Sequence, residues 1–169
     1  MRSPDGFAEF VQSRSPSLLR AAWLLTGDVG KAEDLLQAVL ARAWRNWRRI
    51  RHDGNPEAYV RRMLYTTYLS WWQRRWRGEV PAEVVPDGPA LGDLAGESAI
   101  RDAMRRGLDR LSPRQRAVLV LRFLEDLSVA ETAALLDCTA GTVKTQTSRA
   151  LAAMRLDGDV RSLFTEEVS

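Results

Sequence analysis

Residues 128–155 contain two short helical patterns that are separated by only a few residues. Ser128 and Glu131 have the spacing of a capping box, which satisfies free N–H groups at the start of a helix. Small and apolar residues then recur at helical intervals for two turns. Asp137 interrupts this pattern, and aspartate tolerates the left-handed backbone of a tight turn. Thr139 can cap a second helix, so the sequence predicts a helix-turn-helix.

The second of these helices has two chemically different faces. Its apolar face consists of Val143, Ala150, Leu151 and Met154. Its outer face carries hydroxyls, one amide and two cations, on Thr142, Lys144, Thr145, Gln146, Ser148 and Arg149. Side chains of these types read base edges and bind phosphates. Helical hairpins also occur in proteins that never bind DNA, so ordinary packing remains an alternative for this stretch on its own.

Composition limits the other possible functions. A chain of 169 residues that is 45% hydrophobic can form one medium or two small globular domains. The single cysteine, Cys138, excludes an internal disulfide, and together with the single histidine, His52, it cannot build a zinc site. No targeting segment or apolar run of transmembrane length is visible. We therefore expect a cytoplasmic protein without metal, cofactor or membrane insertion.

The first 77 residues predict a helical domain. An apolar stripe begins at Phe7 and is interrupted at Pro16, where a helix should end or kink. A long amphipathic helix is predicted over residues 31–47, followed by a loop over residues 48–55. Asn55 and the proline after it have the pattern of a helix start, and this last helix should continue to about residue 77.

This last helix carries apolar residues on two sides. One set is predicted to face the core and consists of Val60, Met63, Leu64, Thr67 and Trp71. The second set lies nearly opposite, among Arg61 and Arg62, and consists of Tyr65, Leu69, Trp72 and Trp76. This second set could pack against another element. Alternatively, aromatic rings among arginines could form a platform on which unpaired bases stack.

Residues 78–97 separate the first domain from the second. They contain four glycines, three prolines, five acids and no base, without helical periodicity, which predicts a flexible acidic linker. The second domain is predicted over residues 98–156, with helices at 98–110, 113–123, 128–136 and 140–155. Residues 157–169 form a short tail. The predicted fold class is all-α, with two small helical domains.

Four strings in this order resemble the extracytoplasmic-function group of sigma-70-type RNA polymerase sigma factors. The strings are LLTGDVGKAEDLLQAVLARAW, NPEAYVRRMLYTTYLSWWQRR, LSPRQRAVLVLRF and SVAETAALLDCTAGTVKTQTSRAL. The resemblance implies a sigma-2-type domain, a linker and a sigma-4-type domain with the helix-turn-helix. It also implies a protein that is not an enzyme. Such a factor binds core RNA polymerase, selects promoters through their −35 and −10 elements, and helps to open them.

The resemblance assigns a role to individual residues. Glu33, Asp34 and Gln37, together with Leu35 between them, correspond to the surface that docks on core polymerase. The −10 surface corresponds to Arg48, Arg49, Asn55, Arg61, Arg62, Tyr65, Thr66, Ser70, Trp72 and Arg75. The loop over residues 48–55 corresponds to one that accepts a flipped-out base, and the outer face of the last helix corresponds to the −35 reader. Thr66, Ser70 and Gln146 depart from residues frequent in the family, so promoter preference does not follow.

Two other classes of protein remain as alternatives. A stand-alone helix-turn-helix regulator would bind duplex DNA, usually as a dimer, but it leaves the arginine–aromatic helix unexplained. A helical enzyme is disfavoured because the sequence has no nucleophile, metal or phosphate-loop pattern. The sequence contains no leftover apolar heptad, so we expect a monomer when free. The promoters, the activating signal and the existence of an anti-sigma partner stay open.

Overall fold

The computed structural model describes residues 4–76, 102 and 105–155, and within these residues it contains helices and turns only. The all-α prediction is therefore confirmed. The chain divides into two compact units, residues 1–88 and 89–169. The division falls in the predicted linker, which lies outside the described residues, as do the predicted tail and part of the predicted 98–110 helix. No helix of the described part is long and apolar enough to cross a membrane.

Four helices make up the described part of the first unit: α1 (Phe7–Thr26), α2 (Val29–Arg45), α3 (Trp47–His52) and α4 (Pro56–Trp76). Helix α2 packs against both α1 and α4, and α3 packs against α2 and α4. The core between them contains Leu25, Leu35, Val39, Ile50 and Leu64, which are all fully buried. Burial of such side chains contributes about 1.5–3 kcal/mol each, and it is the main force that holds these short helices together.

Helix α1 does not end at Pro16, which was one of the two outcomes predicted there, but continues through it. A proline inside a helix removes one N–H donor from the backbone ladder. Pro16 and Gln12, whose carbonyl loses that donor, are both exposed. The unpaired carbonyl can therefore be hydrated, while Leu18 and the residues after it stay buried against α2.

Side-chain caps begin two helices of this unit, and the helix start predicted at Asn55 is confirmed. The Asp28 carboxylate accepts a hydrogen bond from the backbone N–H of Lys31 at 2.8 Å. The Asn55 side chain accepts one from the N–H of Ala58 at 3.2 Å, with Pro56 as the first residue of α4. The loop predicted over residues 48–55 is wrong in its first half. That part forms α3, since Trp47 and Ile50, three residues apart, are both buried.

The second unit contains α5 (Pro113–Phe123), α6 (Val129–Leu136) and α7 (Ala140–Arg155). Residues 105–109 before α5 are also helical. Ser112 and Gln115 form a capping box at the start of α5. Helices α5 and α6 both pack on α7, and α6 and α7 are joined by a turn of three residues. This arrangement confirms the predicted helix-turn-helix.

Local chemistry determines the geometry of this turn. Ser128 and Glu131 bond reciprocally to each other's backbone N–H, at 3.0 and 3.2 Å, and so fix the start of α6. Asp137 has φ of 53°, the left-handed conformation that the sequence predicted. Thr139 accepts a hydrogen bond from the N–H of Thr142 at 3.1 Å, which starts α7. The two helices are therefore oriented by residues within the turn and not only by their packing.

We expect Thr132→Val to stabilise the second unit by about 1 kcal/mol. The Thr132 side chain is fully buried, and its hydroxyl has no hydrogen-bond partner within the described structure. A buried hydroxyl without a partner costs about 1–3 kcal/mol, and valine has the same shape without the hydroxyl. Urea unfolding followed by far-UV circular dichroism measures the effect.

Thr147→Val is the matched control for this prediction. The Thr147 hydroxyl donates to the Val143 carbonyl at 2.7 Å, so its removal should not stabilise the protein. All six tryptophans precede residue 77, and tryptophan fluorescence therefore reports unfolding of the first unit alone. That signal should be the same in both variants. Equal stabilisation by the two substitutions would contradict the role assigned to the buried hydroxyl.

Candidate nucleic-acid interface

The outer face of α7 is the exposed side of the helix-turn-helix. Its buried side is formed by Val143, Ala150 and Met154, as the sequence predicted. Four of the six predicted −35 residues are exposed: Lys144, Thr145, Ser148 and Arg149. The described part of α7 has no acidic residue. This face can therefore approach a phosphate-lined groove without charge repulsion.

The other two predicted residues, Thr142 and Gln146, are half-buried. The Thr142 hydroxyl lies 2.9 Å from that of Thr139, and its backbone N–H is bound by the same residue, so Thr142 takes part in the helix cap. Gln146 lies on the flank of α7, about 160° around the helix from Lys144 at 100° per residue. Lys144 and Gln146, which the sequence analysis assigned to one outer face, therefore do not lie side by side on α7.

Helix α4 carries a narrow exposed strip on the side away from the core. Arg62, Thr66 and Ser70, spaced four residues apart, are all exposed. The Thr66 hydroxyl donates to the Arg62 carbonyl at 2.9 Å, which leaves its oxygen able to accept a hydrogen bond. Tyr59 and Gln73 extend the strip at either end and were missed in the sequence analysis, although they continue the same helical spacing. We call these five residues the α4 strip.

Tyr65 is not part of this strip, contrary to the prediction. Its side chain is fully buried in the first unit, as is that of Tyr68. The prediction that Tyr65 stacks on bases is therefore wrong. Trp72 is half-buried and meets the Tyr68 ring edge-on at a centroid distance of 6.5 Å. At 100° per residue it lies about 160° from Ser70 around α4, so its accessible part is on the side of Tyr65 and not on the strip.

The two remaining predicted residues of α4 are arginines. Arg61 is half-buried, and its guanidinium lies 3.7 Å from the Glu57 carboxylate. Glu57 also pairs with Arg14 of α1 at 3.1 Å. Arg61 therefore belongs to a charge cluster that joins α1 and α4, and at 100° per residue it lies on the opposite side of α4 from Ser70 of the strip. Arg75 belongs to α4, but its side chain lies outside the described residues.

A surface pocket of about 420 Å³ lies where α2 meets α3. Its wall consists of Pro4 and the continuous segment from Trp44 to Arg49. Arg48 and Arg49 are exposed at this pocket, and Trp44 is half-buried. Flat indole surface combined with guanidinium groups suits an unpaired base and its phosphates. Asn55 is exposed in the turn after α3, where its side-chain oxygen caps α4.

Three of the four predicted docking residues lie together on the surface of α2. Glu33, Asp34 and Gln37 are exposed and fall within about 100° of each other around the helix. Leu35 is fully buried in the core and cannot contact a partner directly. Its assignment to the docking surface is wrong. Adjacent residues on a helix lie about 100° apart, so Leu35 faces the core while Asp34 faces solvent. Leu35 instead anchors α2 beneath that surface.

The fold and these surfaces define an all-helical DNA-binding protein with a helix-turn-helix in its second unit. The chain matches the family model for sigma-70 region 2 over residues 10–78 and the model for sigma-70 region 4 over residues 101–154. It is 42% identical over 166 residues to the RNA polymerase sigma-E factor of Streptomyces coelicolor, which covers 95% of this chain and 93% of that protein.

Two further proteins extend this similarity. The extracytoplasmic-function (ECF) RNA polymerase sigma factor EcfG of Rhodopseudomonas palustris is 29% identical over 148 residues, covering 86% of this chain and 81% of that protein. The sigma factor RpoE of Bartonella quintana, solved in complex with the anti-sigma factor NepR, is 28% identical, with a TM-score of 0.68, covering 90% of this chain and 96% of that one.

The chain therefore belongs to the sigma-70 family of RNA polymerase sigma factors, in the extracytoplasmic-function group. A sigma factor binds core polymerase, directs it to promoters and assists promoter melting. Proteins of this family are not enzymes. The stand-alone regulator considered above is not favoured, because the region 2 match covers the arginine–aromatic helix that such a regulator leaves unexplained.

Proposed function

We propose that this sigma factor divides promoter recognition between its two units. The outer face of α7 reads duplex DNA at the −35 element. The α4 strip and the pocket between α2 and α3 receive the −10 element as its strands separate. The observation that carries this proposal is the position of the pocket and the strip in one unit, both lined by exposed arginines, Arg48, Arg49 and Arg62.

Promoter opening then follows from differential binding. Extruding a base from the duplex costs a few kcal/mol, which a protein pocket must offset. Stacking on an aromatic surface contributes about 1–3 kcal/mol per base, and cationic groups hold the phosphates. Trp44 at the pocket and Tyr59 on the strip supply such surface, and Trp72 is partly accessible elsewhere on α4. Because duplex DNA cannot use these contacts, their energy favours the open form.

Run-off transcription tests the proposal as a whole. The protein is added to bacterial core RNA polymerase, for example from Streptomyces coelicolor, on promoter templates, and permanganate footprinting reports unpaired thymines. We expect specific transcripts and opening that depend on this protein. Replacing Arg48, Arg49 and Arg62 together by alanine should abolish opening but preserve binding to a duplex that carries only the −35 element. Loss of both activities would contradict the division of labour.

We further propose that the protein acts in the cytoplasm, by binding alone, as a monomer when free. The exposed acids and amide of α2 (Glu33, Asp34, Gln37) are the proposed contact with core polymerase. An anti-sigma partner is a candidate as well, because the relative RpoE was solved with NepR. Gel filtration of the free protein, alone and with core polymerase, tests the monomer and the docking assignment.

Lys144→Ala should weaken binding to the cognate −35 duplex by about 1–3 kcal/mol and relax discrimination at one base position. Lys144 is exposed in the N-terminal half of α7, the part of a recognition helix that meets base edges. Anisotropy titrations with cognate duplexes and single-base variants of them measure both effects.

Two other substitutions in α7 serve as comparisons. Arg149→Ala, five residues further from the N-terminus than Lys144, should weaken binding to all sequences nearly equally and lower the salt dependence, as expected for a phosphate contact. Gln146→Ala should have the smallest effect because that side chain is half-buried on the flank. A Gln146 effect larger than that of Lys144 would contradict this placement of the helix in the groove.

A further inference from the structure

The chain segment before α1 is bound to α3 through one backbone carbonyl. The carbonyl oxygen of Asp5 accepts a hydrogen bond from the Trp47 indole at 2.8 Å and another from the Arg51 guanidinium at 2.9 Å. Trp47 and Arg51 are four residues apart and therefore lie on the same face of α3. Pro4, one residue earlier, forms part of the pocket wall. The same short segment thus contacts both the helix and the pocket.

Two neighbouring features hold this segment in place. Gly6 has φ of 82°, a left-handed conformation that L-residues rarely adopt, and a Cβ there would lie 3.7 Å from the Arg51 guanidinium. The rings of Phe7 and Phe10 contact Trp47 at centroid distances of 5.3 and 5.1 Å. The chain therefore turns at Gly6 and brings both the Asp5 carbonyl, which accepts the hydrogen bond, and the two phenylalanine rings of α1 against the Trp47 indole.

Helix α3 needs such support because it contains only six residues. A helix of this length is not stable by itself in water. Two of its residues, Trp47 and Ile50, anchor it in the core. The direction of the exposed residues between them, Arg48 and Arg49, depends on the rotation of α3 about its own axis. The bonds to Asp5 fix that rotation from the outside.

We propose that residues 4–6 are a positioning element for the pocket between α2 and α3. By holding Trp47 and Arg51, the Asp5 carbonyl orients α3 so that Arg48 and Arg49 line the pocket that receives an unpaired base. This inference rests on the proposed function of that pocket. The contact is made by a backbone atom, so the residue type at position 5 is free to vary. Gly6 is the position at which the element constrains the sequence.

Two variants disturb the element without changing the charge of the pocket. Gly6→Ala opposes the left-handed turn. Deletion of residues 1–5 removes the Asp5 carbonyl and Pro4. It removes one arginine, Arg2, and one aspartate, Asp5, so the side-chain charge of the protein is unchanged. Gly27→Ala is the matched control, because Gly27 also has positive φ, of 72°, at the other end of α1, about 30 Å away.

The experiment measures binding of each holoenzyme to promoter templates with a pre-melted bubble. One template carries all bases, and the others carry a single abasic site at successive unpaired positions. We expect the unmodified protein to lose about tenfold in affinity at the one position where the base is captured. On the complete template, Gly6→Ala and the deletion should bind about five- to tenfold more weakly than the unmodified protein. The abasic site at that position should weaken their binding no further. Tryptophan fluorescence during urea unfolding checks that the first unit stays folded.

Each other outcome overturns a specific statement. We expect any loss of affinity in Gly27→Ala to be equal on complete and abasic templates. If Gly6→Ala and the deletion behave in this same way, the segment has only a structural role and the positioning proposal is wrong. If the unmodified protein does not discriminate any abasic site, the pocket captures no base, and both the proposed pocket function and the positioning proposal fail.

Discussion

Tyr65→Ala is expected to destabilise the first unit by about 3–5 kcal/mol, the range for truncating a large buried aromatic side chain. Tyr65 belongs to α4, and its side chain is fully buried on the side where other helices pack against α4. Natural domains are stable by only about 5–15 kcal/mol, so this loss removes a large part of the total. Urea unfolding followed by tryptophan fluorescence, which reports the first unit alone, measures it.

The companion variants separate packing from DNA contact. Tyr65→Phe keeps the ring and should retain most of the stability. Arg62→Ala, on the exposed α4 strip, should change stability by less than about 0.5 kcal/mol, as for an ordinary surface substitution. The same Arg62→Ala substitution should nevertheless reduce promoter opening. If Tyr65→Ala left stability unchanged and reduced only opening, the ring would have to face the DNA, contrary to its burial.

The error at Tyr65 has a physical cause. A helix that packs on one neighbour buries a stripe of about 100°. The sequence analysis placed Tyr65 on a second apolar side of α4, left packing there as an alternative, and assigned Tyr65 to the −10 surface through the family resemblance. In the structure α1, α2 and α3 all pack against α4. The buried arc therefore widens from Met63 through Leu64 to Tyr65, about 200° at 100° per residue. Sequence periodicity shows which residues are apolar, but the number of packing partners is a tertiary property.

Features set by local chemistry were predicted well. The capping box at Ser128 and the left-handed Asp137 depend only on residues within one turn of each other. Helix α3 could not be predicted from its arginine-rich sequence, because it depends on burial of Trp47 and Ile50 and on the distant Asp5 carbonyl. The pocket, which α3 helps to form, therefore depends on the same contacts. Its position came from the family resemblance, and its lining residue Pro4 came only from the structure.

The double substitution Asp34→Lys, Gln37→Lys is expected to weaken association with core RNA polymerase by about 2–5 kcal/mol, the range for disrupting charged contacts at an interface. Both side chains are exposed on α2 and lie on the same face with Glu33. Replacing an acid and an amide by two cations reverses the charge of this surface. Helicity should remain unchanged, because neither side chain contributes to the buried core.

Glu9→Lys, Gln12→Lys is the matched control for this charge reversal. Glu9 and Gln12 are also exposed, are also three residues apart, and lie on α1, so the same substitutions give the same change in net charge. This control should bind core polymerase normally in a pull-down at fixed ionic strength. If both double variants bind equally weakly, added positive charge impairs assembly wherever it is placed. The contact would then belong to the electrostatic field of the whole unit and not to a docking surface on α2.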